Sequence, residues 1–297
     1  MSRADVLRDY RQLARYLNDS VGGVARLARG LPEFFRERVT VARAQEEIKR
    51  ALENRAENFL ELARTQIYGR PASPYLRLLK TAGCEFSDLR VNVCRYGLER
   101  TLEQLAGEGV YFTSDEFKGK KEVLRKGQSF RVSPAEFKRR DSSPGFVVQS
   151  GGTSGQPVDS LVSLDWLAIG ACSTGVFFFA HNLFAYSHAM YDAILPGGGG
   201  INNLLMHARL GIRTDRWFAR KVPTGSRLGA LYHRLDTYLI VLSGKCFGPG
   251  FPMPEFIDLG DVRRIVRWIS EKKNDGKFCC ITTPASNAVR IAGRTMG

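Results

Sequence analysis

Apolar positions recur along this chain at two spacings, and the alternation between them divides it into elements. Val6, Leu7, Tyr10, Leu13, Ala14 and Leu17 predict a helix over residues 1–20, ended by Val21-Gly22-Gly23. A short basic segment follows, broken at Leu31-Pro32. Residues 41–67 predict the longest helix, with Ala44, Ile48, Ala51, Leu52, Phe59, Leu62 and Ala63 as one apolar stripe. Ser73 and Pro74 open a short helix as N-cap and first residue, and Gly83 closes it. Two helices are expected over 87–96 and 98–106, then a β-rich segment from Val110 to Thr113. Val123 to Val132 reads as a hairpin turning at Lys126-Gly127, and Ser133-Pro134-Ala135-Glu136 as a capping box.

The second half changes rhythm. Phe146-Val147-Val148 predicts a buried strand, Val158 to Ser163 its return, and Leu164 to about His181 a helix capped by Ser163 or Asp165. A strand over 191–195 and a helix over 201–210 follow, joined by Pro196 and four glycines. A β-branched strand is expected over 237–242, and a rigid loop over 248–254. A helix to about Lys273, starting at Asp258 or Asp261, leads to a strand over 277–282 and a helix over 285–292. Strands alternating with helices predict an α/β fold whose mostly parallel sheet is covered by helices. A helical N-terminal region, residues 1–72, precedes the α/β part, residues 73–297.

Composition narrows the function classes only in part. The 297 residues are 43% hydrophobic and carry a formal net charge of +14. The charge favours anionic partners, whether nucleic acid, an acidic membrane surface, ATP or CoA. Seven Arg or Lys and one Asp lie between residues 209 and 234, a run that reads as a solvated basic surface or as a docking face for a CoA phosphate, an acyl carrier protein or nucleic acid. Trp217-Phe218 inside that run is a candidate for stacking bases, but no compact nucleic-acid motif accompanies it, so no specific nucleic-acid partner is expected. The six cysteines include no Cys-x-x-Cys pair and form no ligand set with the four histidines. They read as reduced thiols of a cytoplasmic protein. The charged first sixteen residues show no secretory signal. Trp166 to Ala180 is free of charge, but its fifteen residues fall short of the ~20 needed to span a bilayer. A helix buried in an α/β core is expected there.

The stretch with most chemistry is FVVQSGGTSGQPV, Phe146 to Val158. An apolar strand runs into Ser150, Gly151, Gly152, Thr153, Ser154, Gly155, Gln156 and Pro157. Three glycines let backbone approach a ligand, consecutive N–H groups form an anion nest, and three hydroxyls add donors. The combination suits a polyphosphate. The alternative is a glycine- and serine-rich surface turn. A Walker A loop is excluded because no Gly-Lys-Ser/Thr follows, and a dinucleotide fingerprint because there is no Gly-x-Gly-x-x-Gly. Pro196 to Gly200 before a helix is a second candidate anion site, or a flexible connection. Asn202 and Asn203 fit either reading.

Residues 150–157 resemble, in order, the phosphate-binding loop of the adenylate-forming (AMP-binding) superfamily, with Val158 in place of the usual basic residue. Gly109-Val110-Tyr111-Phe112-Thr113 before Glu116-Phe117-Lys118-Gly119 resembles the branch of phenylacetate-CoA ligases and acyl-protein synthetases. The resemblance covers roughly Pro74 to Gly297. It implies ATP and Mg²⁺ as cofactors, and activation of a carboxylic acid as an acyl-adenylate. Transfer to CoA, an acyl carrier protein or another thiol would follow. Thr153 and Ser154 would be phosphate donors, Gly151, Gly152 and Gly155 would allow close approach, and Pro196 to Asn202 would shape the acyl site. The family's later Tyr-Gly-x-Thr-Glu-like motif, ribose-binding Asp and C-terminal lysine are not found before Gly297. The resemblance therefore implies an incomplete N-terminal domain of an adenylate-forming enzyme, with catalytic residues unassigned and activity of the chain alone in question. The competing reading is a non-catalytic basic protein docking an acidic partner, such as a carrier protein or an anionic membrane.

Overall fold

The computed structural model describes residues 25–137, 143–150, 158–220, 227–258 and 262–295. The helix expected over 1–20 and the loop residues Gly151 to Pro157 lie outside them. The chain divides into two compact units, one of Met1–Gln45 with Ser142–Gly297, the other of Glu46–Asp141. The boundary expected at 72/73 falls inside the second.

Residues 25–36 form helix α1 and run through Leu31-Pro32, where a break was expected. Pro32 offers no N–H to the previous turn, a cost of roughly 3 kcal/mol. Leu27, Leu31, Phe34 and Phe35 share one face and are all buried in the main core. At about 1.5–3 kcal/mol each, their burial outweighs the proline. The long helix expected over 41–67 exists in pieces: α2 (Val41–Glu53), α3 (Arg55–Leu62) and a π-helical turn (Ala63–Tyr68). Asn54 leaves helical dihedrals between the first two. That shifts the phase, so the expected stripe is not one buried face: Ala44 and Ala63 are buried, whereas Leu52 and Leu62 are exposed.

In the second unit, α4 (Pro74–Ala82), α5 (Phe86–Tyr96) and α6 (Leu98–Gly107) follow the expected bounds closely. Gly83 takes the left-handed conformation that ends α4. The segment 110–113 is not a strand. Arg125 takes its polar groups instead, donating to Gly109 O, Tyr111 O and both carboxylate oxygens of Glu116. Glu116 lies in the short helix α7 (Ser114–Phe117), capped by Thr113. Arg125 ends β1 (Val123–Arg125), which pairs antiparallel with β2 (Gln128–Phe130) across a turn with positive φ at Lys126 and Gly127.

The first unit holds a second hairpin, β3 (Gly145–Gln149) with β4 (Asp159–Ser163). The chain then builds α8 (Leu164–Ala180), β5 (Ser187–Ala193), α9 (Gly199–Arg209), β6 (Thr214–Arg220) and α10 (Arg227–Phe247). It ends with β7 (Pro254–Phe256), α11 (Arg263–Asn274), β8 (Cys279–Thr282) and α12 (Ala285–Thr295). The four strands β5 to β8 form one parallel sheet in the order β7-β6-β5-β8. From β5 the chain steps outward to β6 and β7, then returns to the other side of β5. The order therefore reverses between β5 and β8. Met190, Trp217 and Ala219 face a core shared with α1, α8, α9 and α10. Ala189, Tyr191 and Phe218 face a core shared with α11 and α12. The protein is thus α/β, with a parallel sheet covered on both faces.

Several expectations are corrected here. Residues 237–242 lie within α10, not in a strand. Asp236, Thr237, Ile240 and Val241 are buried while Leu235 and Leu242 are exposed, which is helical spacing. Packing overrides the β propensity of the β-branched residues. The strand expected over 191–195 begins at Ser187, its start hidden by the buried His188. The basic run includes strand β6, and Trp217 and Phe218 are fully buried core residues, so they are not a stacking platform. Arg209 is also buried, donating to Phe34 O at 2.9 Å and pairing with Glu37. Arg216 pairs with Glu255. Helix α8 is buried on one face only. Ser163 caps it by accepting from Trp166 N, and Gly170 and Gly175 lie against Met206 and Leu210 beside α9. Trp166, Ile169, Phe177 and Phe179 remain exposed. Among the described residues, no helix is long and apolar enough to cross a membrane.

Candidate functional site

The hairpin β3–β4 carries the glycine loop, and its register fixes where the loop leaves the framework. Gly145 pairs with Ser163 and Gln149 with Asp159, with no slip between. A side chain at Gly145 would collide with Val162 O, so glycine is required for the strands to approach. The neck is closed beyond the last pair. Ser150 N donates to Val158 O at 3.0 Å, and Val158 N donates to Ser150 Oγ at 2.9 Å. Gln149 Nε2 donates to Asp159 Oδ1 at 3.0 Å. Ser150 is the one residue of the predicted phosphate loop that is described. Its hydroxyl oxygen accepts from the Val158 N–H. Gly151, Gly152, Thr153, Ser154, Gly155, Gln156 and Pro157 lie outside the described residues.

The hairpin is tied to the second glycine turn. Gln149 N donates to Pro196 O at 2.8 Å. A Cβ at Gly198 would meet Val148 Cγ1 at 2.7 Å, one at Gly200 would meet Trp217 Cζ2 at 2.8 Å, and one at Gly199 would collide with the Asp192 carboxylate. Gly198 to Gly200 are therefore a packing device and not a flexible connection. They let β3, α9 and the end of β5 close on one another. Gly199 O is bound by Asn203 Nδ2 at 2.9 Å, a local helix-start bond.

Polar groups collect around this junction. Asp192, one residue before the end of β5, is buried, and its Oδ1 accepts from Ala193 N at 2.7 Å. Burial pushes its carboxyl above the usual range, opposed by the Ala193 N–H and the positive charge of Arg220. Trp217 Nε1 donates to Asp192 O at 3.1 Å, fixing β5 against β6. Arg220 ends β6, and its Nε has no hydrogen-bond partner among the described residues; nor has Asn202 Oδ1 on the first turn of α9. On α10, His233 is buried and its basicity lowered by burial, with Asp159 opposing the shift. Thr283, just past β8, donates to Tyr191 O at 2.7 Å.

The two stretches that sequence reasoning treated separately thus meet at one place, the carboxyl end of the central strand. There the strand order reverses, and such crevices are where open α/β sheets bind ligands. The amino terminus of α9 adds partial positive charge. Asp192 and His233 were missed, and Arg220 was read only as one member of the basic run over 209–234. Only Asp192 left a signal, as a carboxylate in an apolar strand just before a glycine turn. Among the described residues no group of three or more His, Cys, Asp or Glu is placed to hold a metal ion. Compared with known proteins, the chain matches no family model, no curated protein and no solved structure.

Proposed function

We propose that this chain binds ATP as its magnesium complex at the carboxyl edge of the parallel sheet and uses it to activate a carboxylic acid for transfer to CoA or another thiol. The observation that carries the reading is the junction of two glycine turns, joined by Gln149 N to Pro196 O beside the first turn of α9. Thr153 and Ser154 supply hydroxyl donors to the phosphates, and the glycines between Ser150 and Pro157 let backbone N–H groups approach them. Arg220, whose Nε has no partner among the described residues, and the α9 terminus add positive potential where a polyphosphate collects negative charge. Magnesium arrives with the nucleotide, held by phosphate oxygens. The turn from Pro196 to Asn202 lines the side on which the carboxylate lies. A carboxylate oxygen attacks the α-phosphorus of ATP and pyrophosphate leaves. The acyl-adenylate formed is a mixed anhydride, from which AMP leaves when the thiol attacks the carbonyl. The chain's part is to hold two anions side by side.

Equilibrium binding of Mg-ATP at low and moderate salt tests this reading. Binding is expected to survive moderate salt and to fall about tenfold or more in Thr153→Ala/Ser154→Ala, the loss of two charge-assisted hydrogen bonds. Unchanged affinity in the double variant removes the loop from the site.

A further inference from the structure

The opposite end of the parallel sheet has a different surface. Helix α8 ends at Ala180, a 3₁₀ turn (Leu183–Ala185) leads to β5, and residues 277–278 lead to β8. These entries are adjacent, because β5 and β8 pair in register from Ser187 with Cys279 and Ser187 N donates to Phe278 O at 2.9 Å. Phe278 is 74% exposed, Phe179 55% and Phe177 54%, and Phe184 is exposed as well. Tyr186 stacks on Phe278 with centroids 5.4 Å apart. Beneath them Phe178 is buried, stacked on His188 and edge-on to His207. Phe178 backs two of the outer rings, with centroids 6.1 Å from Phe177 and 6.0 Å from Phe184.

Cations flank this aromatic edge. Lys273 and Lys277 are exposed on the approach to Phe278, and Arg213 is exposed at the entry to β6, beside the start of β5. Arg38 is exposed, and a Cβ at Gly211 would stand 3.6 Å from its Nη1, which places the guanidinium beside the turn that enters β6. Lys272 is neutralised by Asp215 at 2.8 Å. Asp275 is the acidic residue in the turn ahead of Lys277.

We infer that the amino edge of the sheet is a docking surface for an anionic phospholipid membrane. Protruding aromatic rings flanked by Lys and Arg are the combination that inserts at a headgroup boundary while cations meet lipid phosphates and carboxylates. The charge agrees, since the whole chain carries +14. The area disfavours a second copy as the occupant. Four partly exposed phenylalanines offer on the order of 400 Å², taking about 200 Å² per ring. A symmetric pair would bury roughly twice that, well short of the ~1,600 Å² of a standard stable interface. Rings entering a bilayer have no such requirement. The surface lies at the other end of the strands from the nucleotide junction and does not depend on that reading.

Flotation of the purified chain with vesicles tests the inference, comparing phosphatidylcholine alone with phosphatidylcholine containing one third phosphatidylserine. The chain is expected to float with the anionic vesicles, about tenfold more tightly than with neutral ones, and less at high salt. Phe177→Ser/Phe278→Ser is expected to lower partitioning about tenfold or more, and Lys273→Glu/Lys277→Glu by a similar factor. Leu124→Ser, an exposed apolar site in the other unit, should change nothing. Circular dichroism checks each fold, and Phe278→Ser alone serves if the double variant is damaged. Failure to float overturns the inference, and so does binding that the phenylalanine variants leave intact, which would be adsorption of a basic chain. A concentration-dependent dimer dissolved by Phe278→Ser would give the face to a second copy and overturn it too. Mg-ATP affinity measured on the same variants should not move.

Discussion

The two ends of the parallel sheet are built from opposite materials. At the carboxyl end, backbone approaches backbone: Gly198, Gly199 and Gly200 are packed against Val148, Asp192 and Trp217 with no room for a Cβ. Polar groups there are inward, and Arg220 Nε and Asn202 Oδ1 have no hydrogen-bond partner among the described residues. At the amino end, bulk side chains face out and their charges are exposed. The difference follows from strand direction. Every strand enters at one end and leaves at the other, so the turns into following helices gather where the helix N-termini point. The entries carry no such electrostatic focus and are free to serve contact.

Substitutions should separate the two ends by size of effect. Gly200→Val is expected to cost most, about 3 kcal/mol of unfolding free energy. Helix propensity would favour a side chain there by up to ~1 kcal/mol, but the Trp217 ring and Ala193 O stand in its way. A urea midpoint unchanged from wild type would mean that the junction is loose and that the contrast is wrong.

Acid acts next, and on the amino half. His207 is fully buried, its Nδ1 3.3 Å from Thr214 Oγ1. Burial, then the charge of neighbouring His188, pushes its basicity down to about 3. The unfolded chain takes a proton near pH 6.5 and the folded chain resists. Stability is therefore full above about pH 7 and falls by about 1.4 kcal/mol per unit below pH 6.5, toward pH 3. His188, also shifted down by burial, adds to the slope. Denaturation at pH 7.5, 6 and 5 measures it, and His207→Leu should flatten it.

Asp192 gives the opposite sign at the carboxyl end. Its carboxyl is raised, so stability is greatest at low pH and declines as pH rises from the unfolded value of 3.8 through the folded one. Asp192→Asn should be more stable than wild type by about 1 kcal/mol at pH 7, with the gain vanishing near pH 4. A loss at pH 7 would show that the charged carboxylate is needed there. The smallest effect belongs to Phe278→Ser, expected within ~0.5 kcal/mol because the ring is solvated. A larger loss would make that ring structural and blur the comparison.

Local signals were legible in the sequence and tertiary ones were not. The ends of α4, the hairpin turning at Lys126-Gly127, and the strand pair around residues 150–158 each rest on a cap, a turn or an alternation within a few residues. The strand misread over 237–242 shows the limit. Its β-branched run is helical because Asp236, Thr237, Ile240 and Val241 meet the core at a 3.6-residue period. Leu27, Leu31, Phe34 and Phe35 carried the same period in plain view, masked by the weight given to Pro32. Of the candidate site, the sequence offered both glycine turns but not their junction. The Gln149 to Pro196 bond depends on where the end of β3 meets the turn after β5, which no local pattern encodes. Arg125 likewise explains the Gly109 to Glu116 phrase as a set of carbonyls and a carboxylate gathered by one guanidinium.

Ser150 bonds Val158 through both its backbone and its hydroxyl, so the hairpin stem ends in a clasp. Seven residues of sequence, Gly151 to Pro157, separate the two halves of this clasp and can be exchanged as one cassette. Randomising that cassette at constant length should leave the melting temperature of the scaffold nearly unchanged while altering what it holds. The clasp would then make this fold a library scaffold, with selection on anionic ligands reading out the loop alone.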